Sequence, residues 1–130
     1  MAHYLDTSAL VKLVVEEPET DALRTWWRQH GTTPVACDLV RTELMRAVRR
    51  ATPEAAVQAH AVLDALVLLQ ATPRVFDVAG RLEPATLRSL DAIHLAAALE
   101  LGDELEGMVT YDERLAEAAE AYGVAVLAPR

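Results

Sequence analysis

Residues Tyr4–Glu19 read YLDTSALVKLVVEEPE, and this stretch decides the fold. His3–Leu5 is a short run of strand-forming residues. It ends on an acid, Asp6, and a helical pattern from about Ser8 to Val15 follows almost at once, until Pro18 breaks it. A buried strand passing directly into a helix, with a charged group at the junction, is how an α/β layer begins.

Working outward, the same alternation recurs. A second helix is predicted over about Glu19–His30, with Gly31 as its stop, and a second strand over Thr33–Ala36. Asp38 is placed to cap a third helix, about Leu39–Ala51. Thr52-Pro53-Glu54 has the chemistry of a helix start, and the fourth helix is expected to reach about Leu69. Arg74–Phe76 reads as a weak third strand, with a short helix possible before Pro84. Ser89 is expected to cap a helix ending near Leu101, with Gly102 as terminator. Met108–Thr110 reads as a fourth strand and Val124–Leu127 as a last one, with a helix between them opened by Asp112 and closed by Gly123. Short strands separated by helices imply a mostly parallel sheet covered on both faces, an α/β sandwich.

Composition narrows the class. A chain of 130 residues with 52% hydrophobic residues and a mean hydropathy of +0.13 suits one domain, 1–130, with a substantial core. The longest apolar run, Ala61–Ala71, is interrupted by Asp64 and Gln70 and is too short to cross a bilayer. The N-terminus lacks the pattern of a secretion signal, so a cytosolic chain without membrane contact is expected. Cys37 is the sole cysteine, which excludes an internal disulfide; it reads as a buried, inert thiol. The net charge of −8 argues against broad, non-specific binding of nucleic acid.

Four acids nevertheless fall at one edge of such a sheet, where ligands of α/β proteins sit beyond the carboxyl ends of the strands. Asp6 follows the first strand, Glu43 lies about one turn into the third helix, Asp91 is near the start of the helix opening around Ser89, and Asp112 comes two residues after the fourth strand. Carboxylates gathered there repel one another unless a cation is present. Their hard oxygens favour Mg²⁺ or Mn²⁺, and two such ions (+4 in total) would bring the charge from −8 to −4. Such ions can make a water nucleophilic and stabilise the leaving oxygen of a phosphodiester. Taken singly, three of the acids have an ordinary alternative, whereas Asp6, closing a buried strand, needs a partner. Asp112 could cap its helix, Asp91 could favour a helix N-terminus, and Glu43 could pair with Arg46.

The segments YLDTSALVKLVVEEPE, RTELMRAV (Arg41–Val48), SLDAIHLAAALELG (Ser89–Gly102) and VTYDERLAEAAEAYGV (Val109–Val124) together resemble the PIN domain, and more narrowly the VapC-type toxins of bacterial toxin–antitoxin pairs. The resemblance implies a PIN-like three-layer sandwich and an Mg²⁺- or Mn²⁺-dependent endoribonuclease. Such an enzyme is usually a homodimer, acts on an RNA substrate and is silenced by a cognate antitoxin. By position, Asp6, Glu43, Asp91 and Asp112 match the family's acidic residues. Ser8 and Thr110 match hydroxyl positions that often lie beside the metals, although capping or turn bonding would also account for them.

His94, one helical turn from Asp91, sits among apolar residues and reads as packed or hydrogen-bonded rather than as a general base. His3, His30 and His60 have no metal-like spacing. Arg46 and Arg50 share a helical face with Glu43 and could guide RNA phosphates, or simply form a solvated face. Leu23, Trp26 and Trp27 make an apolar stripe that reads as core. The fourth helix, from Ala56 and Val57 through Val62, Leu63, Leu66, Val67 and Leu69, has little polar face, so parts of these helices are expected to bury against a second copy or an antitoxin.

Two rival α/β classes fit less well. An aspartyl phosphotransferase would want an acid where Ser8 stands. A phospho-receiver would want paired acids after its first strand and a lysine after its last. A PIN-like RNA-processing nuclease without an antitoxin, or a non-catalytic binding module, are the remaining alternatives.

Overall fold

In the computed structural model, which describes residues 1–30 and 32–130, five strands form one sheet in the order β3-β2-β1-β4-β5, and every pairing is parallel. The strands are β1 (Ala2–Leu5), β2 (Thr33–Cys37), β3 (Val67–Leu69), β4 (Leu105–Val109) and β5 (Val126–Leu127). Among the described residues seven α-helices connect them: α1 (Thr7–Lys12), α2 (Thr20–Gln29), α3 (Val40–Ala51), α4 (Ala56–Asp64), α5 (Pro73–Ala79), α6 (Ser89–Leu99) and α7 (Glu113–Ala121).

Successive strand residues face opposite sides, which divides the core in two. Tyr4, Val35, Cys37 and Met108 pack under α5, α6 and α7, through residues such as Val75, Leu95 and Leu115. Leu5, Ala36 and Val109 pack under α1–α4, through Leu10, Leu23, Leu44 and Leu63. Strands buried on both faces require apolar residues at consecutive positions, and β1 and the inner part of β4 have them. The result is the three-layer α/β sandwich that the alternation implied.

Several local expectations are corrected. The fourth helix stops at Asp64 instead of running to Leu69, and Val67–Leu69 is the edge strand β3, in register with Val35–Cys37. Arg74–Phe76 is helical, within α5, because Thr72 caps Val75 and Pro73 opens the helix. Neither Thr52 nor Ser89 caps a helix with its side chain; Ser89 is already the first residue of α6. Asp38 does not cap α3. Its carboxylate accepts from Ala71 N (3.2 Å) and its amide donates to Leu69 O (2.8 Å), so it ties the exit of β3 to the end of β2. The expected stop at Gly31 lies outside the described residues. Gly123, with φ at 81°, ends α7 as expected. Cys37 is buried, and burial pushes its thiol pKa up.

Leu23 is fully buried, and Trp26 and Trp27 are partly buried against the same cluster. Leu63 and Leu66 turn inward, while Val57 on α4 and Val67 on β3 remain 82% and 50% exposed.

Gly107 lies in β4, between β1 and β5. A methyl group there would meet Leu127 Cδ1 at 2.7 Å and Ala125 O at 3.0 Å. Gly107→Ala is therefore expected to destabilise the chain by about 1–3 kcal/mol, the usual range for overpacking. Urea melts check this, and unchanged stability would mean that β5 yields without loss.

Candidate active site

The strand order reverses between β1 and β4, so the loops leaving these two strands open a crevice at the carboxyl edge of the sheet. Asp6 leaves β1 and Thr110 leaves β4 at this point. Asp6 is 3% exposed and acts as the N-cap of α1. Its Oδ1 accepts from Ser8 Oγ (2.7 Å) and Ala9 N (3.1 Å), and its Oδ2 accepts from Thr110 Oγ1 (2.7 Å). The two hydroxyls are themselves held by the backbone, because Tyr111 N donates to Ser8 Oγ and Asp112 N donates to Thr110 Oγ1. The capping role weighed for Ser8 and Thr110 thus takes a specific form: both orient Asp6.

The other acids surround this point. Glu43, in the first turn of α3, accepts at Oε1 from Thr7 Oγ1 (2.8 Å) and from His94 Nε2 (2.7 Å). These contacts replace the Arg46 pair that helical spacing alone allowed. Asp112 caps α7 through Leu115 N and also receives Arg88 Nη2 at 3.1 Å; Arg88 Nε reaches Asp91 at 3.2 Å. Asp6, Thr110, Asp112, Arg88 and Asp91 therefore form one continuous chain of hydrogen bonds. Glu43 stands outside that chain of bonds; its partners are Thr7, which follows Asp6 in the sequence, and His94, one helical turn from Asp91.

Arg88 carries no signal in the sequence that marks it as part of the site. It stands just before α6, and its link to Asp112 spans 24 residues. The partners of His94 were equally hidden, although its reading as a hydrogen-bonded residue holds. Arg46, Arg49 and Arg50 lie apart from the acids, lining a groove of about 230 Å³ near the C-terminal end of α3.

Three of the carboxyls differ in how readily they ionise. Burial pushes the Asp6 pKa up, against the pull of the Ser8 and Thr110 hydroxyls and of the Ala9 amide. Burial and then the neighbouring Asp112 charge raise Asp91, with Arg88 only partly offsetting them. Burial also works against the Glu43 charge, but the hydrogen bonds from His94 and Thr7 outweigh it and hold Glu43 below the usual carboxylate range.

Such a donor set is hard, anionic and oxygen-based, which suits Mg²⁺ or Mn²⁺. Among the described residues no three acidic, His or Cys side chains are arranged to close around one ion. That is compatible with Mg²⁺, which keeps several waters and takes only one or two carboxylates directly. The residues fit the ion in chemistry, and the Arg88 guanidinium already bridges Asp91 and Asp112, where positive charge is wanted.

The raised pKa of Asp6 links stability to pH. Between its unfolded and its folded pKa the native state binds more protons, so the contribution of this group is fullest at low pH and is lost as pH rises through that window. Glu43 acts in the opposite sense: its contribution is present above its unfolded pKa and lost as pH falls through the lowered folded value. Without divalent ions at pH 7, Asp6→Asn is expected to be more stable than the native chain by about 0.5–2 kcal/mol. The gap should narrow toward pH 4. Urea melts in chelator at the two pH values check this; a less stable variant at pH 7 would mean that the hydroxyl bonds outweigh burial.

Comparison with known proteins agrees with this architecture. The PIN domain family model matches residues 3–121. Ribonuclease VapC46 of Mycobacterium tuberculosis is 48% identical over 128 residues, covering 98% of both chains. Among solved structures, M. tuberculosis VapC20, described as a toxin that cleaves the sarcin–ricin loop, superposes with a TM-score of 0.79 at 18% identity, over 98% of this chain and 99% of that one. VapBC2 of Rickettsia felis, bound to a DNA fragment from its promoter, gives a TM-score of 0.71 at 15% identity, over 98% of each chain. The order of the acidic segments, the parallel sheet and the near full-length identity agree: this chain belongs to the PIN-domain family, among the VapC ribonucleases.

Proposed function

We propose that this VapC-family ribonuclease, acting as one domain over residues 1–130, hydrolyses RNA phosphodiester bonds with Mg²⁺ or Mn²⁺ held by Asp6, Glu43, Asp91 and Asp112, directly or through waters. The observation that carries this reading is the burial of Asp6 at the point where the strand order reverses, within one hydrogen-bonded network with two of the other acids. A charge kept out of water there has little structural use that a neutral cap would not serve.

A divalent cation, when bound, polarises the phosphate and lowers the pKa of an attacking water. The protein's own groups prepare the site. Ser8 and Thr110 fix both oxygens of Asp6, and Thr7 and His94 fix one oxygen of Glu43. Arg88 keeps Asp91 and Asp112 together against their repulsion. Arg46, Arg49 and Arg50 offer a cluster of positive charge on an acidic chain, suited to RNA phosphates outside the acidic crevice.

As a VapC-family protein the chain is the toxin of a toxin–antitoxin pair, and its protein partner is the cognate antitoxin. We place the antitoxin, or a second copy in a homodimer, along α2 and α4. There Leu13, Trp27 and Val62 line a cleft of about 310 Å³, and Val57 is exposed nearby. No helix among the described residues is long and apolar enough to cross a membrane.

Asp6→Asn and Asp91→Asn are expected to abolish RNA cleavage while keeping the native circular dichroism, and a chelator should abolish cleavage by the native chain. If both variants cut at the native rate, the assignment of the site fails. Replacing Arg46 and Arg50 by Ala should raise KM and flatten the dependence of RNA binding on salt, by about 0.7 in log–log slope for each phosphate no longer neutralised. An unchanged slope would remove these arginines from the RNA path.

A further inference from the structure

The side chain that links the interior of the sheet to the acidic site is His94. It is 2% exposed, and both ring nitrogens are engaged. Nδ1 lies 2.6 Å from Tyr4 Oη, and Nε2 lies 2.7 Å from Glu43 Oε1. Tyr4 is fully buried, and its hydroxyl also contacts Cys37 N at 3.0 Å.

The direction of this chain follows from what each atom can do. The Cys37 amide can only donate, so Tyr4 Oη accepts from it. The single phenolic proton then goes to the nearest acceptor, His94 Nδ1. With Nδ1 accepting, the ring proton sits on Nε2 and points at Glu43. A proton on Nδ1 instead would face a hydroxyl that already accepts from Cys37, and would leave the Tyr4 proton without its partner in a site that water does not reach.

At the other end, Thr7 and His94 both donate to the same atom of Glu43, Oε1. Oε2 is bonded to neither of them. A carboxylate with one oxygen bound by two donors has its plane fixed and presents the other oxygen in a set direction.

We infer that His94 is a positioning residue: the relay from Cys37 N through Tyr4 and the Nε2–H tautomer of His94 holds Glu43 by Oε1, so that Oε2 alone is offered to a divalent cation. This rests on the reading of Glu43 as a metal-site residue given above. The relay begins at the last residue of β2 and passes through β1 and α6 before it reaches α3, so packing of the sheet is transmitted to the aim of one oxygen atom. Groups that orient ligands in this way are typically worth about 10–100-fold in metal affinity.

Two substitutions separate positioning from packing. In His94→Gln the side-chain amide can stand near Nε2 and donate to Glu43. In His94→Asn the shorter side chain reaches only toward the Nδ1 end and Tyr4. Mn²⁺ alone, titrated into the metal-free full-length chain and followed by the electron paramagnetic resonance of free Mn²⁺, is the probe. His94→Gln should bind Mn²⁺ about as tightly as the native chain, and His94→Asn about 10–100-fold more weakly. Equal affinities for a folded His94→Asn and the native chain would overturn the inference, as would equal losses in both variants, which is the mark of packing alone. Should His94→Asn fail to fold, ¹⁵N NMR of the native, metal-free chain decides. The ring, identified by its absence from the His94→Gln spectrum, should be the Nε2–H tautomer, and the Nδ1–H form would overturn the relay. A native chain that takes up no Mn²⁺ would end the metal-site reading itself, an outcome distinct from the other three.

Discussion

Asp6 is almost sealed from water, and two hydroxyls and one backbone amide carry its negative charge in place of solvent. Much else follows from that arrangement. The carboxylate must stand where β1 ends, so α1 begins on it as an N-cap. Ser8 must stand two residues on, and the loop leaving β4 must bring Thr110 within reach, which fixes how the two central strands are paired. The hydroxyls in turn need backbone donors to orient them, and Tyr111 N and Asp112 N supply these. A buried charge of this kind is tolerated only when its partners are complete.

Within the same crevice the acids are prepared differently. Glu43 is held as an anion by His94 and Thr7, whereas burial leaves Asp6 and Asp91 reluctant to ionise. A cation arriving there would relieve the two that are strained and meet one already charged. Arg88 provides a lesser version of this relief from within the chain, as an exposed side chain that bridges Asp91 and Asp112. The site therefore stores electrostatic cost that binding of a cation can release, the usual compromise between stability and function.

The acidity of the whole chain then has a consistent place. A net charge of −8 disfavours indiscriminate contact with RNA, while three arginines gathered along α3 give the surface a local patch of opposite sign. Two of them, Arg49 and Arg50, also sit in the last turn of α3, where the helix dipole favours positive charge, so they stabilise the helix that carries Glu43.

The amino-acid sequence by itself determined the α/β alternation, the two-sided core and the positions of the four acids, because these depend on local patterning: apolar residues in consecutive pairs, acids just past strand ends, and caps such as Asp112. It misplaced the third strand because Val62–Leu69 is an apolar run whose periodicity suits a buried helix or a strand equally. Only pairing with β2, tied by Asp38, decides in favour of the strand. In the same way, nothing near His94 or Arg88 in the chain announces their partners. The hydrogen bonds that matter join residues 90, 51 and 24 positions apart, and they exist only after the sheet has brought those segments to one edge.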